Sequence, residues 1–111
     1  MADANVVKMI FEGMANNFQP DKAAGVKATI QYDITGEGGG QWNAVIADGA
    51  CAVNEGTSDS PNMTLTMDAQ DWVDMIMGKL DGQQAFMTGK LKIKGDMSLA
   101  MKMGQFFAPA S

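Results

Sequence analysis

The sequence predicts an α+β fold, a five-stranded, mainly antiparallel sheet with helices covering one face. Three observations predict it. Apolar residues recur at spacings of three and four near the N-terminus and again in the second half of the chain. Between those regions they alternate residue by residue, and Gly, Pro or Asp marks each change of period. A period near 3.6 buries one side of a helix and a period of two buries one side of a strand, so the two patterns assign the elements directly. At 111 residues the chain, 1–111, amounts to about one domain. It contains no linker, internal repeat or low-complexity block.

Val6, Val7, Ile10, Phe11, Met14 and Phe18 fall on one helical face, with Lys8, Glu12 and Asn16 opposite. Asp3 serves as the cap of this first helix and Pro20 closes it. "VKATIQYDI" then alternates Val26, Ala28, Ile30, Tyr32 and Ile34 against Lys27, Thr29, Gln31 and Asp33, a half-buried strand. "GEGGGQWNAVIADG" supplies a loop and a second strand, and Gly49 turns the chain into a third, "ACAVNEG". After the polar "TSDSPN", the segment "MTLTMD" sets Met63, Leu65 and Met67 on one face and threonines on the other. Four strands with short connections predict an antiparallel meander. Asp68 caps a helix running to about Leu80, with Asp71 and Asp74 on its polar side. The Asp81 to Gln84 capping pattern opens a shorter helix that ends near Gly89. Lys90 to Lys94 forms the fifth strand, and Asp96 caps a last helix from Met97 to about Phe107, stopped by Pro109.

Composition excludes several function classes. A net charge of −5 and a sequence pI near 4.4 disfavour nucleic-acid binding, and all eight basic residues are lysines, so the guanidinium fork used for guanine and phosphate is missing. The absence of histidine removes Ser-His and Cys-His nucleophile pairs and imidazole metal sites. One cysteine, Cys51, allows no internal disulfide and no structural zinc, and fits a reducing, cytoplasmic setting. No apolar run reaches the ~18 residues of a membrane span, and the N-terminus carries no signal-peptide pattern.

No catalytic, metal or cofactor constellation survives inspection. "GEGGG" lacks the lysine and hydroxyl of a phosphate loop and leads into a strand, which makes it a flexible hairpin. Cys51 reads as an inert buried thiol, Ser98 and Lys102 as members of a solvated stripe, and Asp68, Asp71 and Asp74 as charges complementing a helix dipole. Lys90, Lys92 and Lys94 share a strand face, either a solvated edge that discourages strand pairing or a patch that contacts anionic membranes or a CoA phosphate.

The informative feature is the last helix. Ser98, Lys102 and Gln105 occupy a polar arc of about 60°, whereas Leu99, Ala100, Met101, Met103, Phe106 and Phe107 sweep about 220°. Docking on a sheet needs roughly 100° of apolar stripe. The surplus faces another helix, a partner chain or an apolar ligand. Eight of the eleven methionines lie between Met63 and Met103, and flexible thioethers suit a wall that moulds around ligands of several shapes.

The stretch Leu65 to Met103, with its pieces "GKL", "QQAFMTGKLKIKGDM" and "LAMK" in order, resembles the C-terminal half of the sterol carrier protein type 2 family. The helix and four strands before it agree with that family's organisation. The resemblance implies a five-stranded sheet with helices packed on one face, enclosing an apolar tunnel. It also implies intracellular, non-enzymatic binding and transfer of fatty acyl chains, acyl-CoA, phospholipid or sterol; no cofactor is expected, and a monomer is favoured although the sequence does not fix the oligomeric state. On the family pattern the tunnel is approached by Trp42, Gln83, Phe86 and the last helix around Met101. Trp72, Met75, Ile76, Phe86, Met101, Met103 and Phe106 are expected to line or close it, with Gln83 as a polar contact. The alternative is an accessory domain that presents acyl-CoA or lipid to a partner enzyme. The chain departs from the family at Gly82, where proline is frequent, and in ending Pro109-Ala110-Ser111 in place of a peroxisomal tripeptide.

Overall fold

A computed structural model of the protein describes residues 4–14, 16–99 and 102. The alternating stretches become strands β1 (Ala28–Thr35), β2 (Gly40–Ala47), β3 (Ala50–Glu55), β4 (Met63–Asp68) and β5 (Leu91–Gly95). The helical patterns become α1 (Ala4–Met14), α2 (Ala69–Ile76) and α3 (Gly82–Met87). Residues 97–99 and 102 are helical as well. Asp3 lies outside the described residues, so the expected cap of α1 does too.

One sheet holds all five strands in the order β3-β2-β1-β4-β5. Strands β1, β2 and β3 form the expected antiparallel meander, and the β2–β3 turn carries positive φ at both Asp48 and Gly49, as a tight two-residue hairpin of the primed type requires. The meander stops there. Strand β4 does not pair with β3; it crosses to the far side of β1 and pairs with it in parallel, Ile30 opposite Met63 and Ile34 opposite Met67, and β5 then adds antiparallel to β4. The sheet is therefore mainly antiparallel with one parallel pair.

The crossover has a physical support that the alternation pattern hides. Gln31 and Asn43 sit on the face opposite the core residues Ile30 and Ala44, yet both are buried. The segment 56–62 lies over them. Gln31 Nε2 and Asn43 Nδ2 donate to the Gly56 carbonyl, each at 3.3 Å, and Ser58 N–H donates to Gln31 Oε1 at 2.7 Å. At its far end Asn62 N–H donates to the Thr29 carbonyl (2.9 Å) while Asn62 Oδ1 accepts from Thr29 N–H (2.8 Å), which delivers the chain to the open edge of β1.

On the other face the register aligns Ile93, Leu65, Tyr32 and Trp42 across four strands, flanked by Met63, Ile30 and Ala44 on one side and Leu91, Met67 and Ile34 on the other. Val7, Phe11 and Met14 of α1 and Ala69 and Trp72 of α2 close this face into one core. Helix α2 ends four residues before the expected Leu80, because Gly78 takes a positive φ and the chain turns at Met77. The short acidic caps act as expected. Asp68 accepts from Gln70 N–H (3.0 Å), Asp81 from Gln84 N–H (3.4 Å) and Asp96 from Leu99 N–H (3.1 Å).

Candidate functional site

Four rings meet between the sheet and the helices. Phe11 of α1 stacks on Trp42 of β2, centroids 4.9 Å apart and planes 11° from parallel, and on Trp72 of α2 at 5.2 Å and 16°. Tyr32 of β1 meets Phe11 edge-on at 5.2 Å and Trp72 at 5.3 Å. The two expected wall residues Trp42 and Trp72 are thus brought together by a ring that the sequence reading assigned only to a helix face. Phe11 follows Val7 at the i, i+4 spacing, which marks it as inward-facing; nothing local marks it as the layer between two indoles.

The other expected residues that the structure describes lie further out. Met75 and Ile76 are half-buried at the end of α2, and a Cβ added at Gly82 would lie 3.4 Å from the Met75 sulfur, so this side chain reaches the start of α3. Gln83 is exposed. On α3 the buried residue is Ala85, while Phe86 is 43% and Met87 76% exposed; Met77, just beyond α2, is 56% exposed. Met101, Met103 and Phe106 lie outside the described residues. A pocket of about 200 Å³ opens at the base of the last helix, lined by Val26, Lys27, Asn62, Asp96, Leu99 and Lys102 among others. Among the described residues, none of the expected wall residues lines it. Its charged rim and small size suit water or an ion better than a long acyl chain.

Lys92 and Lys94 share the outer sheet face with Thr66 and Thr64, and Lys90 precedes the strand; all three are exposed. Ser98 and Lys102 are exposed too, and Asp74 accepts from the Gln70 amide at 3.0 Å. No group of three metal-ligating side chains occurs among the described residues, and no helix among them is long and apolar enough to cross a membrane.

Burial raises two acids. Cys51 is pushed up from 9.0 to about 11, and the fully buried Tyr32 hydroxyl is held far above its ordinary value, first by burial and second by the nearby Cys51 charge. In each case the unfolded chain releases its proton at a lower pH than the folded protein, so the folded state binds more protons in the window between. Stability from Cys51 is therefore complete below pH 9 and is lost as pH rises to about 11, and Tyr32 adds a loss beginning near pH 10. In urea melts at pH 8, 9.5 and 11, the midpoint is expected to fall less for Cys51→Ala than for the unaltered protein. Parallel curves would contradict it.

Residues 8–108 match the model of the SCP-2 sterol transfer family. The chain is 34% identical over 103 residues to hydroxysteroid dehydrogenase-like protein 2 of Bos taurus, an alignment that covers 92% of this chain and 25% of that protein. It spans about a quarter of the length of the curated relatives it matches. Among solved structures it resembles the sterol carrier protein domain 2 of Helicoverpa armigera, with a TM-score of 0.71, 31% identity and coverage of 91% of this chain and 81% of that one. The palmitated sterol carrier protein 2-like 2 of Aedes aegypti shares the fold, with a TM-score of 0.74, 24% identity and coverage of 95% and 93%. By sequence over most of its length, the chain belongs to the SCP-2 sterol transfer family.

Proposed function

We propose that this chain is a single intracellular lipid-binding domain, acting in the cytoplasm, that takes up a fatty acyl chain, acyl-CoA, phospholipid or sterol in an apolar tunnel and releases it unchanged. The observation that carries the reading is the α2–α3 region, where Met77, Phe86 and Met87 stand exposed beside half-buried Met75, Ile76 and Leu80. Scattered exposed apolar residues need no explanation, but flexible thioethers and a phenyl ring gathered within eleven positions form a surface suited to hydrocarbon. The palmitated state of the Aedes aegypti relative supports the same ligand class.

In this reading Trp42 and Trp72 form the inner wall and Met75, Ile76 and Phe86 the mouth, Met101, Met103 and Phe106 are further residues that line or close the tunnel, and Gln83 offers a polar contact. Sequestering the methylenes of a sixteen-carbon chain at ~0.8 kcal/mol each gives roughly 12 kcal/mol gross, against several kcal/mol for immobilising the ligand. Exposed lysines contribute at most about 1 kcal/mol each at an anionic surface. Affinity thus resides in the apolar wall, while Lys90, Lys92 and Lys94 tune docking to membranes.

Phe86→Asp places a charge at the mouth on a residue already 43% exposed, so the fold should persist. Affinity for a fluorescent acyl probe is expected to fall about tenfold, a loss of ~1.4 kcal/mol. Unchanged affinity in a folded variant would argue against this mouth, and native mass spectrometry of freshly purified protein that finds no retained lipid and no uptake of added palmitate would argue against the function. A second reading, a module that presents lipid to a partner enzyme, is favoured by the relatives in which the matching region is about a quarter of a protein named as dehydrogenase-like. Co-purification of such an enzyme would support it.

A further inference from the structure

Two polar atoms inside the aromatic cluster have no hydrogen-bond partner, the Tyr32 hydroxyl and the Trp72 indole Nε1. Their rings are neighbours at 5.3 Å, and the residues are 0% and 1% exposed. Buried polar groups are almost always paired, because an unpaired one keeps its whole desolvation cost; two orphans in adjoining rings therefore call for a common cause. The indole N–H only donates, and the phenol, held neutral by its burial, donates as well. What is missing is an acceptor.

The charge of that acceptor follows from where the cations are. The chain has eight lysines, no arginine and no histidine, and every lysine is exposed. An ionised carboxylate drawn into this interior would find no cation to offset its loss of water. The buried amides Gln31 and Asn43 offer no help, since they lie on the other face of the sheet and are tied to the 56–62 crossover. An uncharged oxygen, by contrast, buries no net charge, and hydrogen bonds from both donors offset its loss of water.

We propose that Tyr32 Oη and Trp72 Nε1 donate to an uncharged hydroxyl or carbonyl oxygen at the inner end of the ligand, so that the site selects neutral oxygenated lipids over ionised fatty acids. The inference rests on the lipid-binding reading above. It implies that an acid lies with its carboxylate outward, near the α2–α3 mouth, whereas a long-chain alcohol or ester lies with its oxygen inward.

The test compares the full chain with Tyr32→Phe, which removes only the hydroxyl, using 1-hexadecanol and palmitate as competing ligands at pH 7.5 or above and thermal melts without ligand. The unaltered protein is expected to prefer the alcohol. Tyr32→Phe should weaken hexadecanol about tenfold, the scale of one net hydrogen bond in a dry site, and palmitate by less than about twofold. The ligand-free melting temperature should stay constant or rise, because an orphaned hydroxyl has gone. Equal losses for both ligands, or none for the alcohol, would overturn the inference. So would a lowered ligand-free melting temperature, the mark of a buried water or protein group already pairing the hydroxyl. If palmitate binds but the alcohol shows no dependence on Tyr32, only this inference fails; if neither ligand binds the unaltered protein, the lipid-binding reading fails with it.

Discussion

Phe11→Ala is expected to lower the unfolding free energy by about 3–5 kcal/mol, the range for deleting a fully buried phenyl group from a core. The upper part of that range applies here. Phe11 is fully buried and touches three other rings, so alanine removes two stacked contacts and one edge-on contact in addition to the transfer energy. The neighbours are poorly placed to collapse into the space. Trp42 and Tyr32 are held by the β1–β2 ladder, where they pair directly, and Trp72 is fixed within α2. A domain of this size has about 5–15 kcal/mol in total, so the variant should unfold at much lower urea. Equilibrium urea unfolding followed by tryptophan fluorescence measures it directly, because both indoles flank the deleted ring. A loss below about 1 kcal/mol would mean that the cluster is loosely packed or already hollow.

How far this arrangement was legible depends on the range of each signal. The caps at Asp68, Asp81 and Asp96 are local chemistry, a carboxylate within three residues of the amide it accepts from, and they stand where the sequence puts them. The alternation in β1 and β4 likewise tells which side chains face the core. It does not tell which strands are neighbours. The parallel β1–β4 pair depends on Gln31 and Asn43 gripping a segment more than a dozen residues away, and polar residues at outward positions look the same in sequence whether solvent or a crossover covers them. The same limit applies at the site. The family pattern places Trp42 near the ligand and Trp72 is expected in the lining, but their meeting through Phe11 is a tertiary fact. On α3 the pattern favoured the large Phe86, whereas the position that packs inward belongs to Ala85, whose size lets a six-residue helix lie close to its neighbours.

The second large effect is expected at the junction that launches the last helix. Gly95 closes β5 opposite Met63 with φ +106, a conformation that side chains rarely adopt, and an added Cβ would lie 2.5 Å from the Asn62 carbonyl oxygen and 3.0 Å from Met63 Cα. Backbone, not a flexible side-chain end, stands in the way. The same Asn62 carbonyl accepts from Asp96 N–H at 2.9 Å, and Asp96 in turn caps the helix through Leu99. Gly95→Ala must therefore push β5 from β4 or give up that hydrogen bond and misplace the cap, which adds to the φ strain. Together these give about 2–4 kcal/mol, from roughly 1–3 for the strained backbone and about 1 for the bond. Gly56→Ala supplies the comparison, since Gly56 has φ +119 but open space where its Cβ would be. That variant should lose only the conformational part, and the difference between the two urea midpoints isolates the close approach. Equal losses would show that the "KGDM" run, one of the pieces that carry the family resemblance, keeps its glycine for φ alone. A larger loss at Gly95, accompanied by weaker acyl binding in the fraction that stays folded, would tie the strand junction to the position of the helix proposed to wall the ligand.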